Sequence, residues 1–146
     1  MFTGIVESTG TVVSLENDIL KIKTDNTQFF DLDSGTSIAI DGCCLTLKNY
    51  EKDILIFQVS DETLNRTALG DNHSGHVNME LPLTLNSLLS GHLVQGHVDE
   101  VIHIQSIKKL DSELWNFTFS NANKKYIVDK GSITINGISL TVVEPK

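Results

Sequence analysis

Basic side chains are scarce in this chain. Its 146 residues include 11 Lys and Arg against 19 Asp and Glu, a formal net charge of −8, and Arg66 is the only arginine. Proteins that bind a nucleic-acid backbone rely on clusters of Lys and Arg. The composition therefore argues against a nucleic-acid partner.

Long apolar runs are absent from this chain, and cysteine is rare. No stretch of apolar residues reaches the length that spans a bilayer. Residues 1–7 lack the basic and apolar regions of a secretion signal. The two cysteines, Cys43 and Cys44, are neighbours, and adjacent cysteines rarely form a relaxed disulfide because their Cβ vectors are badly placed. We therefore expect a protein of the reducing cytoplasm that does not enter a membrane.

What the chain does contain is β-rich sequence. Hydrophobic residues make up 40% and charged residues 21%, which is typical of a packed fold. Asp41-Gly42 between two β-rich runs predicts a hairpin, since both residues tolerate positive φ. Helix is limited to two short candidates, 61–69 with Asp61 as N-cap and 123–129. The predicted strands are 11–15, 19–23, 37–40, 43–47, 54–59, 77–81, 101–107, 114–119, 132–135 and 138–143.

An internal repeat is the most informative pattern. Residues 4–7 (GIVE) align with residues 96–99 (GHVD) at an offset of 92, and residues 37–47 align with residues 132–142 at an offset of 95. Two blocks in the same order at nearly the same offset indicate a duplication rather than chance similarity. The sequence thus predicts one repeat over residues 1–90 and a second over residues 91–146.

The second repeat is the shorter one. The first continues for roughly forty residues beyond Leu47, whereas the second stops soon after Val142. If the first repeat is a closed barrel, the second lacks its later strands, and its open edges would need a cover. We expect a fragment, a truncated gene product, or a chain whose second half is completed by another subunit.

Five ordered blocks of this sequence resemble riboflavin synthase, and the resemblance covers the whole chain. It implies an all-β fold of two six-stranded Greek-key barrels, the second incomplete here, followed by a C-terminal helix and assembled as a homotrimer. It also implies an active site shared between subunits and no need for a metal or organic cofactor. The blocks are residues 1–7 (MFTGIVE), 42–46 (GCCLT), 62–64 (ETL), 91–99 (GHLVQGHVD) and 130–142 (KGSITINGISLTV).

The reaction implied by the resemblance is a dismutation. Two molecules of 6,7-dimethyl-8-ribityllumazine exchange a four-carbon unit and give riboflavin and 5-amino-6-(ribitylamino)pyrimidinedione. Non-catalytic relatives, the lumazine proteins, bind the same kind of ligand on the same fold. An enzyme, a lumazine or flavin carrier without turnover, and a purely structural β-protein are therefore the three hypotheses for this chain.

The resemblance further implies ligand contacts in both repeats. Residues 4–6 are expected to line the first ligand site, which residues 58–63 close, and residues 96–98 belong to the second ligand segment. The full set is Gly4, Ile5, Val6, Cys44, Leu45, Thr46, Gln58, Val59, Ser60, Asp61, Glu62, Thr63, Gly96, His97, Val98, Lys130, Ser139, Leu140 and Thr141.

Three of the side chains are candidates for catalysis. The thiolate of Cys44 would add to the electron-poor lumazine ring or steer an added water, and Ser37 would hold that water or orient Cys44. His97 would move the proton that leaves the acidic C7 methyl group. A zinc pair of His92 and His97 is disfavoured because no third ligand lies at a suitable spacing, so no metal site is predicted.

Each candidate also has a structural reading. Cys44 suits a buried thiol, and Gly4 suits a turn at a strand end. Residues 58–63 suit a helix N-terminus, and Lys130 a solvated lysine before a turn. Asn136 departs from the family, in which Asp is common. The three remaining histidines, His73, His76 and His103, suit loops or the surface.

Overall fold

The first repeat forms a closed six-stranded β-barrel. The computed structural model describes residues 1–71, 75–120 and 123–145. The strands neighbour one another in the order β1-β2-β5-β4-β3-β6, all antiparallel, so β6 returns beside β3 as in a Greek key. They are β1 Ser8–Glu16, β2 Ile19–Lys23, β3 Ser37–Ile40, β4 Cys43–Glu51, β5 Ile54–Gln58 and β6 His76–Glu80.

The barrel interior is the hydrophobic core of the molecule. Along β4, Cys43, Leu45 and Leu47 are buried and the residues between them face outward, because side chains alternate across a strand. Phe29, from the short 3-10 helix Thr27–Phe30, is fully buried in the same cluster. The α-helix α1 (Asp61–Arg66) and the 3-10 helix Ala68–Asp71 follow β5.

The second repeat contains two hairpins that do not pair with each other. β7 (Ile104–Lys109) pairs with β8 (Trp115–Phe119), and β9 (Ser132–Ile135) pairs with β10 (Ile138–Thr141). In the first repeat β5 joins β2 to β4, and β6 joins β3 to β1. The described residues after β10 supply no strand, so the four strands remain two separate two-stranded sheets. The predicted incomplete second barrel is confirmed.

The two repeats meet at equivalent residues. Phe2 and Val94, 92 positions apart in the sequence, exchange backbone hydrogen bonds of 2.7 and 3.0 Å. Gly42 and Gly137, 95 positions apart, also lie in contact, since a Cβ placed on Gly42 would be 2.7 Å from the backbone nitrogen of Gly137. Contacts between equivalent residues are the mark of a near-twofold relation between two copies.

The predicted elements are largely confirmed, with several corrections. All ten predicted strands are present, but β7 begins at Ile104 rather than at residue 101. The N-cap of α1 is Ser60, whose side chain accepts from the Thr63 amide, and not Asp61. The helix predicted over 123–129 is only the 3-10 turn Lys124–Tyr126. His73 lies outside the described residues.

Among the described residues, no helix has both the length and the apolar character that crossing a membrane requires.

Candidate functional site

The outward face of β4 carries the candidate nucleophile. Cys44 and Thr46 point away from the core and are partly or fully exposed, whereas Cys43 is buried. Burial raises the pKa of the Cys43 thiol to about 11, and the neighbouring Cys44 adds to the shift. Cys43 is therefore an uncharged core thiol at neutral pH, and only Cys44 is open to a ligand.

A segment of the second repeat lies against Cys44. The Cys44 amide donates to the Gly96 carbonyl at 2.8 Å, and Gly96 has a φ of +83°. A Cβ on Gly96 would be 2.7 Å from the Cβ of Cys44, so a larger residue would push this segment away from β4. His97 follows in an exposed position, and Val98 packs against the barrel core. Residues 96–98 thus belong with the first barrel.

The N-terminal segment makes the equivalent contact with the second repeat. The Ser139 amide donates to the Gly4 carbonyl at 2.7 Å, and Gly4 has a φ of +76°. A Cβ on Gly4 would be 2.8 Å from the Cβ of Ser139. Ile5 is exposed and Val6 half-buried beside this contact. Residues 4–6 thus lie beside β10.

The two segments are exchanged between the repeats, since each contacts a strand of the repeat to which it does not belong. Residues 4–6 do not accompany Cys44, and residues 96–98 do not accompany Ser139. An antiparallel bridge between Phe2 and Val94 joins the two segments just before each reaches the other repeat. Each candidate site is therefore built from both halves of the chain.

Other predicted residues of the first site lie near Cys44. Ser37 pairs with Thr46, and Ala39 with Cys44, so Ser37 shares the face of β3 and β4 that carries the thiol. β5 leaves the sheet at Gln58, immediately after the Phe57–Leu47 pair, and leads directly into residues 59–63. This places the polar segment 58–63 at the same end of the β4–β5 pair as Thr46.

Two residues of the predicted set cannot offer their side chains to a ligand. Leu45 is 4% exposed and Val59 is 1% exposed, and both belong to the barrel core. Only their backbone groups are available, and the Val59 amide already donates to the Asp18 carbonyl at 2.8 Å. Ser60, Asp61 and Glu62 are exposed.

In the second repeat, the contact set is more open. Leu140 is half-buried and Thr141 is exposed on β10. Lys130 has an exposed side chain and a φ of +62°, and its amide donates to the Val142 carbonyl at 2.9 Å. The turn predicted there is thus present, and it places Lys130 beside the end of β10.

His92 is a residue to which sequence reasoning gave no role. Its Nδ1 lies 2.8 Å from the Ser139 hydroxyl, and its Nε2 lies 3.1 Å from the Thr134 hydroxyl. The ring therefore fixes the orientation of Ser139, which is the counterpart of Cys44. Its partners are 47 and 42 positions away, so no local pattern signals them. Within the described residues, no hydrogen bond involves the ring of His97.

The described residues include no group of three or more His, Cys, Asp or Glu side chains that could hold a metal ion.

Comparison with known proteins decides the family. Residues 3–82 and 95–146 match the family described as "Lumazine binding domain". The riboflavin synthase of Actinobacillus pleuropneumoniae is 36% identical over 149 residues, which cover 99% of this chain and 69% of the relative. The chain belongs to the riboflavin synthase family. The riboflavin synthase of Mycobacterium bovis is 41% identical over 150 residues, covering 97% of this chain and 74% of that enzyme.

Solved structures share the fold of this riboflavin synthase family member. LumP complexed with riboflavin superposes with a TM-score of 0.86 at 24% sequence identity, covering 100% of this chain and 82% of that one. LumP complexed with 6,7-dimethyl-8-(1'-D-ribityl) lumazine gives a TM-score of 0.83 with the same coverage. At this identity the likeness is one of architecture.

Proposed function

We propose that this chain binds 6,7-dimethyl-8-ribityllumazine and converts two molecules of it into riboflavin and 5-amino-6-(ribitylamino)pyrimidinedione. The support is the family membership together with one geometric observation. Cys44–Gly96 and Ser139–Gly4 form two near-equivalent backbone contacts, one in each repeat. A reaction between two identical molecules suits a protein with two similar sites, and holding both reactants in place contributes several powers of ten to a rate.

The site residues divide into positioning and chemical groups. Gly4 and Gly96 let their segments pack closely against Ser139 and Cys44, and the polar segment 58–63 supplies hydrogen-bond partners for ribityl hydroxyls. Cys44 adds to the ring or directs water to it, with Ser37 on the same face. His97 accepts the proton from the C7 methyl group. Lys130 and residues 139–141 contact the second molecule.

The assembly is part of the proposal. Residues 1–90 and 91–146 act as two ligand-binding repeats, and the reacting pair forms between the first repeat of one subunit and the second repeat of another. This requires a homo-oligomer, a trimer in the family, in the cytoplasm.

A carrier of lumazine or flavin without turnover is the second candidate. It is favoured by the openness of the second repeat, in which the four described strands form two hairpins rather than a barrel. A site enclosed by fewer strands binds a ligand with lower affinity, because less of the ligand surface is buried. The first barrel alone would then carry the ligand.

Incubation of the purified chain with 6,7-dimethyl-8-ribityllumazine separates these functions. Appearance of riboflavin, followed by absorbance and fluorescence, supports the enzyme. Saturable binding on calorimetry without riboflavin supports the carrier. Absence of binding to folded protein rejects both.

Matched variants test the chemical groups. If the chain turns over, Cys44→Ser and His97→Gln lower kcat by about a hundredfold or more. Cys43→Ala and His103→Gln serve as controls, since Cys43 is an apolar core residue and His103 is an exposed histidine of the second repeat. Activity of Cys44→Ser equal to that of the unaltered chain would show that the exposed thiol has no chemical role.

A further inference from the structure

A buried carboxylate lies at the junction of the two repeats. Glu80, the last residue of β6, is 4% exposed. Its Oε1 accepts from the Thr3 amide and the Thr3 hydroxyl, both at 2.6 Å, and its Oε2 accepts from the Gly4 amide at 3.0 Å. A buried carboxylate is costly unless hydrogen bonds replace its water, and three donors do so here.

The segment held by Glu80 is the one that reaches the second repeat. The Thr3 carbonyl accepts from the His92 amide at 3.0 Å, and the Gly4 carbonyl accepts from the Ser139 amide at 2.7 Å. The amides of residues 3 and 4 thus bind the first barrel while their carbonyls bind the second repeat. Glu80 fixes the direction in which both carbonyls point.

At the Cys44 contact, the described residues contain no counterpart of Glu80. The counterparts of Thr3 and Gly4 are Gln95 and Gly96, at the offset of 92. Within residues 1–71, 75–120 and 123–145, no carboxylate accepts a hydrogen bond from Gln95 or Gly96. Within the described residues, the anchor by Glu80 is thus specific to the segment that contacts Ser139.

We propose that Glu80 is a positioning residue for the ligand site at Ser139, so that the first barrel sets the geometry of the second repeat's site. It holds Gly4 at positive φ, with its carbonyl on the Ser139 amide. The role in ligand binding rests on the proposed function, whereas the role in geometry does not.

Amide hydrogen exchange of the full chain tests the geometric part. In Glu80→Gln an NH2 group replaces one acceptor oxygen and faces a donor, so at least one of the three hydrogen bonds is lost. Exchange of the Ser139 amide should accelerate by about tenfold, the effect of losing one hydrogen bond, while exchange of the Cys44 amide stays within about twofold. Glu51→Gln, at an exposed glutamate that also ends its strand, β4, is the matched control and should change neither amide. Unchanged Ser139 exchange, or equal acceleration at both amides, would overturn the proposal.

Titration with 6,7-dimethyl-8-ribityllumazine tests the functional part. The expected result is binding at the Cys44 site with unchanged affinity and about tenfold weaker binding at the Ser139 site, assigned by chemical-shift changes of the two amides. If the unaltered chain binds no lumazine while the Ser139 amide still responds to Glu80→Gln, the proposed function fails and the positioning role stands. If Glu80→Gln does not fold, Thr3→Val removes one of the three donors, and the same contrast between the Ser139 and Cys44 amides decides.

Discussion

β2 and β8 hold matching places in the two repeats and have very different surroundings. In β2, Leu20 and Ile22 are fully buried in the barrel. In β8, Trp115 is 57% exposed and Phe117 is 40% exposed. The difference arises because β5 covers the outer edge of β2, whereas the only described partner of β8 is β7. Strand formation is thus a local property of each repeat, whereas burial of the side chains depends on closure of the barrel.

The hairpin turns, unlike the burial of the strands, are the same in the two repeats. Asp41 and Asn136 both have a φ of 46°, and the glycines after them have φ values of 79° and 80°. Two positive φ angles in succession define a type I′ turn, which suits the twist of a two-stranded hairpin. The turn geometry is the same in the closed barrel and in the open repeat, so it is set by the dipeptide rather than by closure.

The largest expected contrast is in the core. Phe57→Ala, at a fully buried position of β5, should lower the free energy of unfolding by about 3–5 kcal/mol because it leaves a cavity. Phe117→Ala in β8 should lower it by about 1 kcal/mol or less. Urea unfolding measures both, and equal losses would show that the second repeat is as well packed as the first.

Thiol reactivity gives the next contrast. Ile138, the counterpart of Cys43, is 42% exposed. In a Cys44→Ser background, Ile138→Cys should be alkylated at pH 8 about a hundredfold faster than Cys43, because a thiol of ordinary pKa is far more ionised there than one with a pKa of about 11. Peptide mass spectrometry identifies the labelled site. Comparable rates at the two positions would show that the first barrel opens readily.

The contact between the repeats is tested at the turn glycines. Gly42→Ala and Gly35→Ala both place a Cβ on a residue with positive φ, at 79° and 94°. Nothing lies within 4 Å of a Cβ on Gly35, whereas on Gly42 it would meet the backbone of Gly137. Thermal unfolding should show a loss of about 1 kcal/mol for Gly35→Ala, from backbone strain alone, and about 2–3 kcal/mol for Gly42→Ala. Equal losses of stability in the two variants would mean that the contact between Gly42 and Gly137 does not stabilise the protein.

The smallest expected effect concerns Asp41, whose counterpart is Asn136. Burial raises the pKa of Asp41, while the hydrogen bond from the Asn78 amide opposes that shift, so the ionised form costs stability at neutral pH. Asp41→Asn keeps the acceptor oxygen and removes the charge, and should stabilise the protein by about 1 kcal/mol or less at pH 7. The gain should fade as the pH falls through the raised pKa, because Asp41 itself then becomes neutral.

The control for this prediction is Asp111→Asn, which removes a charge from the exposed turn between β7 and β8 in the second repeat. It should change the stability by no more than about 0.5 kcal/mol. Chemical denaturation at a series of pH values from neutral to acid follows both variants. A gain from Asp41→Asn that grows toward low pH would contradict the sign of the shift.

The sequence predicts what depends on neighbours in the chain. Strand periodicity, the Asp41-Gly42 turn and the alternation around Cys44 all follow from local pattern, and the repeat indicates the missing strands. The predicted N-cap of α1 is wrong because Ser60 and Asp61 are both favourable N-cap residues, and only the backbone conformation decides between them.

The exchange of residues 4–6 and 96–98, the hydrogen bonds of His92 and the burial of Glu80 were not predicted. Each depends on partners more than forty positions away, which chain order does not reveal. Glu80 is the sharpest example, since a glutamate at a strand end is ordinarily a surface residue. Its donors lie at the other end of the first repeat.

The bridge between Phe2 and Val94 has an evolutionary consequence. After a gene duplicates internally, one copy is ordinarily free to diverge while the other keeps the original role. Here a segment of each copy packs against a strand of the other, so a substitution at Gly4 disturbs Ser139 and one at Gly96 disturbs Cys44. A change in either copy therefore alters a contact of the other, which restrains both from diverging.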